Sequence, residues 1–175
     1  MIRILIDTGV WISYLGQRKI DTNNRVKKAR KVINYLKNNS EKYSICYSER
    51  TINELYNNSG QNVLDNYTLV NSHIFNENWE ECHLIWNNIN SIWGDKTESN
   101  IGNTLKSILP DKTKKNNRND RGIYGDAIIE NCKIIIHENP KDFTKFTSDA
   151  EKRKIILIDL FSYSVKHAIK IIESL

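Results

Sequence analysis

Three cysteines, two prolines and seven glycines in 175 residues are few, and each scarcity excludes something. Cys46, Cys82 and Cys132 are odd in number and no two are spaced as Cys-x-x-Cys. That removes a disulfide framework and a cysteine-based zinc site, and suits a reducing cytosol. So little proline and glycine leaves no room for a linker that would split the chain, and one domain is expected over 1–175. No apolar run approaches the roughly 20 residues of a membrane span. The greasy start, Met1 to Ile6, stops at Asp7 and is too short and too charged for a secretory signal. The expectation is a cytoplasmic protein with no membrane contact. The four histidines, His73, His83, His137 and His167, have no metal-ligand spacing, and no Gly-x-x-x-x-Gly-Lys-(Ser/Thr) loop is present to cradle a nucleotide. Gly9 stands where an Asp-x-Asp phosphatase would need its second acid.

What is present is an ordinary globular composition, 39% hydrophobic and 27% charged, with 26 Lys plus Arg against 21 Asp plus Glu and a net charge of +5. A mild basic excess makes a polyanion a candidate partner.

The apolar pattern alternates between strand and helix. Ile2 to Ile6 is a β-branched run halted by Asp7-Thr8-Gly9, a buried strand and a tight turn, after which Val10 to Leu15 starts a helix. From Asn24 to Asn38, Val26, Ala29, Ile33 and Leu36 form one helical stripe, with Lys27, Lys28 and Arg30 among the opposite face. Tyr43 to Tyr47 reads as a strand and Glu49 to Asn57 as a helix. Over 76–94, Trp79, Cys82, Trp86, Ile89 and Trp93 predict a helix whose Trp stripe serves as core or as a seam for a second copy. Residues 94–121 read as a polar loop carrying Lys112, Lys114, Lys115, Arg118 and Arg121. A helix over Asp126 to Glu138, a turn at Asn139-Pro140, strands at 143–147 and 154–158 and a closing helix over 162–175 complete the reading. Such alternation argues for an α/β fold with a parallel sheet covered on both faces, where ligands bind beyond the carboxyl ends of the strands.

Four carboxylates sit at element boundaries: Asp7 past the first strand, Glu54 early in a helix, Asp126 at a predicted helix start and Asp149 after Phe146-Thr147-Ser148. Each alone is explained by turn formation, a capping box, the helix dipole or an N-cap. Gathered on one face they would repel, and a divalent cation relieves that repulsion. Oxygen-only ligands point to Mg²⁺ or Mn²⁺, not zinc.

These residues resemble the PIN-domain nucleases. Ile4-Leu5-Ile6-Asp7-Thr8-Gly9-Val10-Trp11 is similar to the family's opening block. Glu54 within Ser48 to Tyr56 resembles its second acid, Gly125-Asp126-Ala127-Ile128-Ile129 its third block, and Phe146-Thr147-Ser148-Asp149 its last. The resemblance spans about residues 1 to 160. It implies a PIN-like three-layer α/β/α fold around a mostly parallel sheet; the chain departs from the family's compact members by a helical and basic insertion at about 60–120. It also implies a metal-dependent endoribonuclease, often the toxin of a bacterial toxin–antitoxin pair. On that resemblance Asp7, Glu54, Asp126 and Asp149 are catalytic. Asp7, Asp126 and Asp149 hold Mg²⁺ or Mn²⁺, and Thr8 and Thr147 fix ligand geometry. Lys27, Lys28, Arg30, Lys114, Lys115, Arg118 and Arg121 hold RNA phosphates, with an antitoxin protein and a second copy of the chain as further partners. A second register stays open, with Asp120 as third acid and Asn139 or Asp142 as the fourth ligand. The alternative from another class is a non-catalytic PIN-like module that holds RNA or protein without cutting.

Overall fold

The chain begins with the strand its Ile run predicts. In the computed structural model, which describes residues 1–16, 23–56, 67–70, 73–74, 92–93, 96–110 and 115–175, β1 spans Ile2–Ile6 and leads through Asp7 into α1, Thr8–Leu15. Asp7 caps that helix: its Oδ2 accepts the Gly9 N–H at 3.2 Å. Gly16 ends it at φ +72°, a left-handed position that glycine takes at least cost, and its N–H reaches the carbonyls of Ile12 and Ser13.

Then follow α2 (Asn23–Asn38), β2 (Tyr43–Ser48), α3 (Glu49–Tyr56), β3 (Thr68–Val70), β4 (His73–Ile74) and β5 (Ile92–Trp93). After these come α4 (Lys96–Ile108), α5 (Lys115–Ile129), β6 (Ile134–His137), α6 (Pro140–Phe143), a 3₁₀ turn at Thr144–Phe146, α7 (Thr147–Arg153), β7 (Ile156–Asp159) and α8 (Val165–Glu173).

Five strands form one sheet in the order β3-β2-β1-β6-β7, parallel throughout, with Ile4 opposite Ile45 on one side and Ile134 on the other. Side chains alternate across it. Ile4, Ile6, Ile45, Ile134, Ile136 and Ile158 enter one core with Val10, Trp11, Ala29, Ile33, Leu36 and Ala168 from α1, α2 and α8. Leu5, Cys46 and Ile135 enter a second with Leu105, Ile123, Tyr124, Phe143 and Phe146. Two cores on two faces make the three-layer α/β/α arrangement, and near-continuous apolar strands are what burial on both faces demands. Each fully buried Ile of β1 and β6 contributes about 1.5–3 kcal/mol of transfer energy.

Several elements differ from the sequence expectations, each for a visible reason. Residues 96–108 and 115–129 are helices, not a loop: Ile101, Leu105 and Leu109 recur every four residues and are buried. The helix expected over Asp126 to Glu138 ends at Ile129, because Asn131 turns left-handed at φ 54° and a triple-Ile run makes β6. Residues 143–147 are helical, since Phe143, Phe146 and Ala150 bury at helical spacing. Ile92 and Trp93 form a strand paired with His73 and Ile74, while Trp79, Cys82, Trp86 and Ile89 lie outside the described residues.

Candidate active site

In a parallel sheet the carboxyl edge is where loops gather, and the crevice lies where the chain leaves a strand in opposite directions. Here β1 is that strand, flanked by β2 and β6. Asp7 leaves its end, α3 with Glu54 leaves β2, and Glu138 and Asn139 leave β6.

The structure makes these side chains electrostatic neighbours. Asp7 is 5% exposed. Burial raises its pKa to about 7, Glu54 adds to the rise, the Gly9 and Thr8 N–H groups oppose it, and Glu138 raises it further. Asp120, in α5, is pushed to about 8 by burial, then by the charges of Asp7, Asp142 and Glu54, against a lowering hydrogen bond from Asn139. The Asn139 amide donates to Asp120 Oδ2 and to Asp142 Oδ2, both at 3.0 Å. Burial works to raise Asp142, but Asn139 and Lys145, whose Nζ is 3.2 Å from Oδ1, hold it below the usual carboxylate range. The Asn119 amide donates to Glu54 Oε1, and Ser13 Oγ donates to Glu138 Oε2 at 2.7 Å. The cluster is therefore Asp7, Glu54, Asp120, Glu138, Asn139 and Asp142.

Of the two registers, it is the residues of the second, Asp120, Asn139 and Asp142, that join Asp7 and Glu54. The structure places Asp126 and Asp149 elsewhere. Asp126 lies well inside α5, fully buried, with Oδ2 accepting from Ser48 Oγ at 2.6 Å and Arg50 Nε at 3.2 Å. Asp149, in α7, accepts from the Tyr124 hydroxyl at 3.0 Å and Arg153 Nε at 2.7 Å. Thr8 is buried and its hydroxyl donates to Thr51 Oγ1 at 3.2 Å, tying α1 to α3. Thr147 donates to the Thr144 carbonyl at the start of α7, away from the cluster.

The basic residues divide in a similar way. Lys27 is exposed on α2. Lys28 donates to the carbonyls of Leu160 and Phe161, and Arg30 to that of Tyr14. Arg121 is buried with Nη1 on the Leu109 carbonyl at 2.7 Å, so its guanidinium holds α5 to the end of α4 and faces no solvent phosphate. Lys114 and the side chains of Lys115 and Arg118 lie outside the described residues.

Glu138, Ser13, Asn119 and Arg50 had no sequence expectation. One signal could have found Glu138: it is the second residue after the Ile134-Ile135-Ile136 run, beside the strand that carries Asp7.

The donor set is oxygen-only and anionic, which suits a hard divalent cation. Among the described residues, no three His, Cys, Asp or Glu side chains are yet gathered tightly enough to enclose an ion. No described helix is long and apolar enough to cross a membrane.

No protein-family model matches the chain and no curated protein does. Among solved structures the chain is similar to VapBC2 from Rickettsia felis, a complex bound to a DNA fragment from their promoter. The TM-score is 0.48 and the identity 15%, over 90% of this chain and 98% of that one. At that level the likeness does not extend to activity, substrate or partner.

Proposed function

We propose that the chain is a metal-dependent endoribonuclease, with Asp7, Glu54 and Asp120 as the acids that hold Mg²⁺ or Mn²⁺ and with Glu138, Asn139 and Asp142 beside them. The observation that carries this reading is the convergence of three acids, Asp7 between β1 and α1, Glu54 of α3 and Asp120 of α5, at the carboxyl edge of a parallel sheet. Two of them, Asp7 and Asp120, are driven to retain protons. Buried carboxylates that repel one another are stable only when protonated or when a cation replaces the protons.

A bound divalent cation would lower the pKa of a coordinated water and neutralise charge developing on a phosphodiester. The chain's own residues prepare that edge. The Gly9 N–H fixes one oxygen of Asp7. The Asn139 amide holds Asp120 and Asp142 in a common orientation. Asn119 orients Glu54, and Lys145 keeps Asp142 ionised. RNA as substrate rests on the family resemblance and the basic balance. Lys27, Lys114, Lys115 and Arg118 are the candidate phosphate contacts. An antitoxin protein and a second copy of the chain as partners rest on the resemblance alone.

The test is cleavage of single-stranded RNA with Mn²⁺ by the parent, Asp120→Asn and Asp149→Asn. Asp120→Asn should lose at least about a hundredfold, by analogy with the loss of a catalytic charge-stabilising group, and Asp149→Asn should cut as the parent does. The opposite pattern would return the assignment to the first register. RNA retained but cut by none of the three would establish the non-catalytic binding module.

A further inference from the structure

Two helices far apart in the sequence, α3 and α5, carry acids of the site, and something must set one against the other. On α3, Arg50 and Glu54 lie one turn apart on one face. On α5, Asn119, Gly122 and Asp126 follow at spacings of three and four residues, again one face. These faces meet antiparallel. Glu54 accepts from Asn119 at one end, and Arg50 Nε reaches Asp126 Oδ2 at 3.2 Å at the other. Between them lies Gly122. A Cβ there would stand 2.3 Å from Arg50 Nε, 2.4 Å from Cζ and 2.6 Å from Cδ. Only a residue without a side chain lets the guanidinium lie against the backbone of α5. Ser48 closes the arrangement: its hydroxyl donates to Asp126 at 2.6 Å and accepts the Arg50 N–H at 3.1 Å. Ser48, Arg50 and Asp126 are all buried.

We infer that Arg50 is a positioning residue: its ion pair with Asp126, laid across Gly122, fixes the rotation and register of α3 on α5 and thereby holds Glu54 within reach of Asp7 and Asp120. Apolar packing alone is non-directional and would let the helices slide. The Arg–Asp–Ser bonds are directional and, one turn from Glu54, allow it one placement. This inference rests on the metal reading above for its functional consequence, though not for its geometry.

The experiment replaces the pair by apolar residues of similar bulk, Arg50→Met/Asp126→Leu. That exchange removes both members of the ion pair together and commonly preserves folding. In chain whose circular dichroism and melting match the parent's, Mn²⁺ affinity read by electron paramagnetic resonance should fall about tenfold or more. The same exchange on Glu54→Gln should produce no further fall, because Arg50 acts through Glu54. A second arm needs no metal: the pair Glu54→Cys/Asn119→Cys, oxidised with diamide, should crosslink readily with Arg50 and Asp126 present and at least severalfold more slowly with Met and Leu in their place. Parental Mn²⁺ affinity together with parental crosslinking in the folded apolar variant would overturn the inference. So would an equal loss of affinity in the Glu54→Gln background. If the parent itself binds no Mn²⁺, the metal reading fails, and the crosslinking rate alone decides the role of Arg50. Should the double exchange not fold, Arg50→Lys takes its place. It keeps the charge but lacks the Nε donor, and is held to the same two outcomes.

Discussion

Gly122→Ala sets two effects of known size against each other. In a helix interior alanine is favoured over glycine by about 1 kcal/mol, and Gly122 lies inside α5 with no positive φ. By propensity alone the substitution stabilises. The structure says otherwise, because the new methyl would stand 2.3 Å from Arg50 Nε. An exposed arginine would swing aside at little cost. This one is 7% exposed and bonded to a fully buried Asp126, so it moves only by leaving that carboxylate. Breaking one side of a buried pair costs about 3–5 kcal/mol, and the net expectation is a loss of about 2–4 kcal/mol. With a urea m-value of about 2 kcal/mol/M, the midpoint should fall by about 1–2 M at unchanged slope. The control is the same substitution on Arg50→Ala. There the methyl meets no guanidinium and should restore about 1 kcal/mol. A midpoint for Gly122→Ala at or above the parent's would refute the reasoning, and with it the close approach of Arg50 to α5.

Four further expectations are open to simple assays. In metal-free buffer, Asp7 and Asp120 bind protons more tightly folded than unfolded, so their contribution is present at pH 4 and lost as pH rises through about 7 and 8. Asp120→Asn should flatten that decline in a pH series of melting temperatures, and an unchanged slope would contradict it. His137 behaves oppositely. It is buried against Phe143 with ring centroids 4.4 Å apart, and burial lowers its pKa to about 4, partly offset by Asp159. Its contribution is present above about 6.5 and falls away towards pH 4, a loss that His137→Gln should remove. Ile4→Ala, at a fully buried position, should cost about 2–5 kcal/mol by denaturant titration. Arg121→Ala should lower stability by about 1–3 kcal/mol, because the Leu109 carbonyl loses its donor. RNA retention on a filter should be unchanged by it, whereas Lys27→Glu should weaken retention and reduce its salt dependence.

What could be read from the sequence was what local pattern determines. The Ile run of β1, the Ala29–Ile33–Leu36 stripe of α2, the strand from Tyr43 and the helix carrying Glu54 all declare themselves within a few residues, and Asp7 and Glu54 follow from them. The second half was harder because its signals conflict. Asn, Lys and Arg crowd the first turns of α5 and disguise a helix as a loop, which moved the apparent helix start to Asp126. The run Ile128-Ile129 continues plausibly into Ile134-Ile135-Ile136 unless Asn131 is taken as a left-handed stop. Phe143 and Phe146 suit a strand by composition and a helix by spacing, and spacing prevailed because both rings bury together, Phe146 stacked on Tyr124 and Phe143 edge-on to Phe146. The choice between Asp126 and Asp120 then depended on where α5 begins, a boundary set by tertiary burial of Ile123, Tyr124 and Ala127, which no local pattern reports. Arg50 and Gly122 acquire meaning only as a pair.

The earliest of the sheet's strands in the sequence is the middle strand of the finished sheet. Ile4 pairs on one edge with Ile45, near it in sequence, but its other edge waits for Ile134. A nascent chain therefore carries an unpaired, mostly aliphatic margin until β6 is made, a surface that invites association with other chains. The same delay is protective. Asp120 arrives just before that late strand and Glu138 and Asn139 just after it, so a truncated product that stops short of it lacks part of the acidic crevice.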